Sequence, residues 1–162
     1  MLKEINLDPQ LLEVLVVESL AKVFSAFRHV HVFLTTTDPS PGRGGGTYTH
    51  VLVCGLSRWP AFLGIACFQP QSISDLAVVQ VETVVRSAQE VGLDIHQISN
   101  LLANTLAHEI GHTLGLGHSE QLHDVMHDGL DHHVHSLMPP VFHTAQINAM
   151  NLAIHRWSSR RS

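Results

Sequence analysis

Charge is scarce in this chain. Lysine and arginine together number 9, and only two of these are lysine. Charged residues make up 14% of the 162, with a formal net charge of −5. No basic footprint is present, so nucleic acid is not an expected partner. Cysteine is nearly missing too: Cys54 and Cys67 alone do not make a disulfide framework. No uninterrupted apolar run reaches the roughly 20 residues of a membrane-spanning helix, so no membrane segment is expected. Met1-Leu2-Lys3-Glu4 opens no signal peptide. The localisation is therefore left open between a trimmed leader and a cytoplasmic chain.

What remains is ordinary for one globular domain over residues 1–162: the hydrophobic fraction is 44%. The anomaly is histidine, with 14 copies. Several of them fall in one stretch, His108 to Met126, reading HEIGHTLGLGHSEQLHDVM. It contains H-E-x-x-H-x-x-G-x-x-H, a spacing with a physical rationale. Residues four apart share one face of a helix, so His108 and His112 can address one metal ion. Glu109 is turned about 100° from His108 and is better placed for a water than for the ligand cluster. Gly115 can take a left-handed backbone angle and end the helix, which lets His118 return from another side. Three neutral imidazoles leave the fourth position of tetrahedral zinc open, as catalytic sites do. Such a zinc lowers the pKa of a water to roughly 7, and Glu109 is the candidate general base.

This motif resembles that of the metzincin metallopeptidases, and its surroundings are most like a minimal matrixin-type catalytic domain. Ser119 directly follows the third histidine, and Met126 lies at the Met-turn distance beyond it. Phe142-His143-Thr144-Ala145-Gln146-Ile147 resembles the start of the matrixin C-terminal helix. Leu63 to Phe68 resembles the substrate-binding edge strand. The resemblance implies an α+β fold: a twisted, mixed five-stranded sheet with a backing helix and an active-site helix (upper part, about 1–117). A small lower part with one helix follows (about 118–157). It implies one catalytic zinc held by His108, His112 and His118, with Met126 packed beneath. A protein or peptide substrate would pair with Gly64, Ile65 and Ala66, and a monomer is expected. The implied sheet order puts a strand between the two cysteines, so both should be free, buried thiols. Secreted relatives carry a leader and often an inhibitory pro-segment, and nothing like either precedes the domain. Matrixins often hold structural calcium, but no calcium loop is visible. Where matrixins have tyrosine after the Met-turn methionine, this chain has His127.

The rest of the chain is read from pattern. Residues 2–7 read as a short strand. Asp8-Pro9 is a helix start, and the apolar spacing predicts a helix over 9–27. Residues 29–36 alternate as a strand, with His29 and His31 read as surface histidines. Residues 38–46 form a Gly-rich loop. Strands are expected over 47–54, 61–68 and 76–85, the last a central one with Glu82 solvated or hydrogen-bonded. Residues 87–91 form a helical turn closed by Gly92. Asp94 and Gln97 make a capping box for the active-site helix, which has a core stripe of Leu102, Leu106, Ile110 and Leu114 opposite the ligands. His123, His127, His132, His133 and His135 fall in an exposed loop or supply a second metal site. Asp124 either bonds a ligand histidine or fixes the turn. Met138-Pro-Pro-Val-Phe would begin a pocket wall. Thr144 caps a last helix to Trp157, with Ile147, Met150, Asn151 and Ile154 on one face.

The expected activity is zinc-dependent endopeptidase hydrolysis. The alternative is a non-catalytic histidine-rich metal-binding protein, against which an intact Glu109 counts. An amidase acting on a non-protein amide is a third reading.

Overall fold

A computed structural model describes residues 8–37, 48–55, 62–129 and 131–160. The expected strand at 2–7 and the loop at 38–46 lie outside the described residues. Helix α1, Pro9–Ala26, begins as expected: the Asp8 side chain accepts from the Gln10 N–H, with Pro at the first turn. Leu15 and Val23 are buried, whereas Leu11 and Val16, apolar residues of the same helix, are exposed.

Three strands follow: β1 (His50–Cys54), β2 (Gly64–Ala66) and β3 (Leu76–Gln80). Their order is β1-β3-β2, with β1 parallel and β2 antiparallel to β3. Pairing is mixed, as expected, but a five-stranded sheet is not seen among the described residues. Within that sheet β2 is an edge strand. Pairs Gly64↔Val79, Ile65↔Val78 and Ala66↔Ala77 fix its register. Bonds from Gln80 N–H to Leu63 O and from Cys67 N–H to Leu76 O extend the pairing beyond both ends.

Two expected strands are corrected. Residues 29–36 form no strand, although Val30 is buried and His29, His31 and Phe33 are exposed. A side chain takes the place of a partner strand: Asn151 Oδ1 accepts from His31 N–H, and Asn151 Nδ2 donates to His29 O. The run 76–85 is a strand only to Gln80 and then becomes helix α2, Val81–Glu90. Val81, Val84, Val85 and Ala88 are buried. This is helical periodicity, which the continuous apolar run concealed. Glu82 is buried, and its Oε1 has no hydrogen-bond partner among the described residues.

Helix α3, Ile95–Thr113, is the centre of the molecule. The Asp94–Gln97 capping box starts it as expected. It is buried all round rather than along one stripe: nearly every residue from Ile98 to Leu114 is buried. Helix α1 packs along it, and a polar clasp joins the two where Glu18 accepts from Ser99 Oγ and Lys22 Nζ and pairs with His96. The clasp also includes a bond from Lys22 Nζ to Ser99 Oγ.

Beyond Gly117 the described residues form two helices, not one. Part of the expected histidine loop is a short helix α4, His132–Leu137, started by Asp131 accepting from Val134 N–H. The last helix, α5, spans Thr144–Ser159. His143, not Thr144, is its N-cap, and its N–H donates to Gln146 Oε1. Phe142 anchors the lead into α5 by an edge contact with Phe27, at 4.9 Å between ring centroids. Both cysteines are free, but Cys54 is only partly buried and Cys67 is exposed, contrary to the expected buried pair. Among the described residues no helix is long and apolar enough to cross a membrane.

Candidate metal centre

The site is built at the C-terminal end of α3. His108 and His112 lie one turn apart, and their Nε2 atoms are 2.9 Å apart. His118 arrives from the following turn, with its Nε2 3.1 Å from that of His112. The chain returns there because the helix ends in a two-bond glycine turn. Leu116 N–H donates to Gly111 O and Gly115 N–H to His112 O, both at 3.0 Å, and Gly115 has φ +86°. A side chain at Gly115 would be strained and would also lie 2.9 Å from the Ser72 backbone nitrogen.

The outer nitrogens settle the protonation of the rings. His108 Nδ1 donates to Val125 O and His112 Nδ1 to Leu116 O, each at 2.8 Å. A carbonyl can only accept, so both rings carry their proton on Nδ1 and present a bare Nε2 lone pair inward. His118 Nδ1 faces Asp128 Oδ1 at 3.5 Å. Burial, with the neighbouring imidazoles, depresses the His108 pKa to about 4, and burial also lowers that of His112. Neutral imidazoles are the form that binds a metal.

Lone pairs facing each other at 2.9 Å repel unless a cation lies between them. Tetrahedral zinc with bonds of roughly 2.05 Å needs nitrogens roughly 3.3 Å apart, so the three rings are close to that spacing. The residues present therefore fit a zinc ion. The ligand atoms of these three histidines all lie within 4.8 Å of one another, the sole such group among the described residues. The histidines of 123–135 form no second cluster there. His135 is buried, with its Nδ1 3.0 Å from Asp131 O and its Nε2 3.2 Å from Asp124 O.

Glu109 is buried beside the ligands, and burial alone lifts its pKa to about 7. Met126 is fully buried under α3, where a Cβ added to Gly111 would lie 2.6 Å from its sulfur. Its turn is tied on three sides. Ser119 N–H donates to Met126 O, Met126 N–H donates to Asp124 Oδ1, and Gln146 Nε2 donates to Asp124 Oδ1, each at 2.8 Å. Asp124 thus fixes the turn, while the ligand nitrogens go to backbone carbonyls. Burial works against its charge. The bonds from Met126, Gln146 and Ser119, with His143 nearby, outweigh this and hold its pKa low. Gly64, Ile65 and Ala66 make up β2, with Gly64 against the Glu109 side chain.

Sequence reasoning missed the close approach at Gly111, the Val125 and Leu116 carbonyls, and Asp128. It also missed Phe68, whose ring lies 5.4 Å from that of His112. A signal existed for Gly111 alone, since a glycine inside a helix costs about 1 kcal/mol and calls for a reason.

Helix, inward lone pairs and neighbouring carboxyl together define a metal-dependent hydrolase type of site. The family model for metallo-peptidase family M12B, reprolysin-like, matches residues 28–119, more than half of the chain. The chain belongs to this family, a zinc-dependent, metzincin-type group of metallopeptidases. The match takes in all three histidines and Glu109 and stops before Met126. No curated protein and no solved structure matches the chain.

Proposed function

We propose that this chain is a zinc-dependent endopeptidase that cleaves extended polypeptides, working as a monomer with its cleft between residues 1–117 and 118–157. The observation that carries this reading is the convergence of three histidine Nε2 atoms, two of them proton-free, beside the buried carboxyl of Glu109. His108, His112 and His118 are the ligands. Zinc held there supplies a Lewis acid for the scissile carbonyl and for water at neutral pH.

Glu109 accepts the proton of the attacking water and delivers it to the leaving amine. A carboxyl whose pKa is raised by burial is suited to take and return a proton near neutrality. The exposed edge of β2 offers the backbone of Gly64, Ile65 and Ala66 to an extended peptide, which is gripped by main-chain bonds without reading its side chains. Ile65 is 56% exposed and able to meet such a strand. Met126 serves as the Met-turn, a packing floor and not a ligand. Ser119 and the spacing to Met126 support a matrixin-like lower part on a chain of the reprolysin-like family.

A pure metal binder has no use for Glu109, and only one histidine cluster lies among the described residues. Glu109→Ala should keep bound zinc but lose about 10²–10⁴-fold in peptidase turnover. Zinc content by atomic absorption and cleavage of casein check this, and undiminished turnover rejects the mechanism.

A further inference from the structure

Glu109 is held in an unusual way. Its carboxyl is buried, and no hydrogen bond to it is present among the described residues. Its direction must therefore come from packing. Gly64, the first residue of β2, lies against it and has no side chain. A Cβ added to Gly64 would lie 2.6 Å from Glu109 Cγ and Oε1 and 2.8 Å from Cδ.

We propose that Gly64 is a positioning residue for the general base: its missing side chain leaves the seat in which the Glu109 carboxyl lies. This rests on the endopeptidase reading above. It assigns Gly64 a role distinct from pairing with substrate, because the contact is to the enzyme's own base.

Which partner would yield to a side chain at position 64 decides the consequence. The Gly64 backbone is pinned by pairing with Val79 and by the bond from Gln80 N–H to Leu63 O. The Glu109 backbone belongs to the buried core helix. Neither can retreat cheaply. The Glu109 carboxyl is the end of a flexible side chain with no bond to break, so it moves instead. The fold survives, and the base leaves its place. A misplacement of about 1 Å is enough to cost on the order of a hundredfold in rate.

The test compares Gly64→Ala, Glu109→Ala and the double variant with the unaltered chain, all zinc-loaded full chains assayed on a fluorogenic casein-derived peptide. Gly64→Ala should retain its zinc and thermal midpoint, lose on the order of a hundredfold in kcat, and keep KM within about twofold. Alanine at 109 removes Cγ, Cδ and Oε1, the three atoms the added methyl would meet. In the Glu109→Ala background the same Gly64→Ala change should therefore cost less than about threefold of the residual rate, a non-additivity that a merely structural role would not produce.

Four outcomes overturn the proposal. The first is an unchanged kcat in Gly64→Ala. The second is an equal loss in both backgrounds. A loss carried by KM would mark Gly64 as a substrate contact only. A collapse of zinc content or midpoint would mean that the backbone moved. Glu109→Ala separates the two levels: if it keeps turnover, the endopeptidase mechanism itself fails. If it loses turnover while Gly64→Ala does not, only the role of Gly64 fails.

Discussion

Three glycines near the centre show how much of its chemistry depends on missing atoms. Gly115 supplies a backbone angle, Gly64 leaves room for a carboxyl, and Gly111 leaves room for sulfur. Gly111 gives the clearest contest of magnitudes. Alanine there would gain about 1 kcal/mol of helix propensity. It would also force a methyl to 2.6 Å from the Met126 sulfur, in a side chain with no exposed surface into which to move. Overpacking of this kind costs about 1–3 kcal/mol, so the net expectation is loss. Gly111→Ala should lower the urea midpoint and weaken zinc retention, as read by equilibrium unfolding and by zinc release to a chromogenic chelator. A stabilised variant would show that Met126 repacks freely.

The elements differ in how openly the sequence announced them. Helices α1, α3 and α5 were legible as helices because Asp8, Asp94 and the apolar spacing mark them, but not their faces: α1 leaves Leu11 and Val16 exposed and α3 is buried all round. The approach of His108 to His112 was legible because a four-residue helical step leaves little freedom. Helix α2 was not, since Val78 to Val85 reads equally well as a buried strand until a cap or turn decides. The segment 29–36 failed for another reason. Its alternation reports burial, but a strand needs a neighbour, and here Asn151 from α5 satisfies the backbone instead. Long-range substitution of that kind leaves no local trace. The clasp between α1 and α3 was equally hidden, joining Glu18 to Ser99, a residue 81 positions away. Hydrogen bonds from His96 and Ser99 lower the Glu18 pKa below 4.5, despite some opposing desolvation. The unfolded chain therefore takes up its proton first as pH falls. The clasp's contribution is full above pH 4.5 and is lost as pH drops through the lowered native value. Glu18→Gln should flatten the acid limb of the stability curve over that window, measured by thermal melts at successive pH values. An acid limb identical to wild type would remove Glu18 from the account.

At the scale of the whole molecule, the metal should act as a core component. The inward lone pairs of His108 and His112 are mutually repulsive without a cation, and α3, which carries both, packs against the sheet and helices α1, α2 and α4. At free zinc about 100 times its dissociation constant, binding adds about 2.7 kcal/mol to stability. For a chain of this size that is roughly 5–10 °C in thermal midpoint. Stripping the protein with a chelator should lower the midpoint by about that much, and adding zinc back should restore it. An unchanged midpoint by calorimetry would mean that the rings do not share an ion. The bonds to the outer nitrogens of His108 and His112 carry one last consequence. They end on peptide carbonyls of Val125 and Leu116, groups that every amino acid possesses. Ring orientation is thereby indifferent to which residues occupy 125 and 116, so long as the chain follows the same path. The buried Val125 and Leu116 side chains enter only by holding that path, so the imidazoles are steered by where the loop runs and not by what it displays.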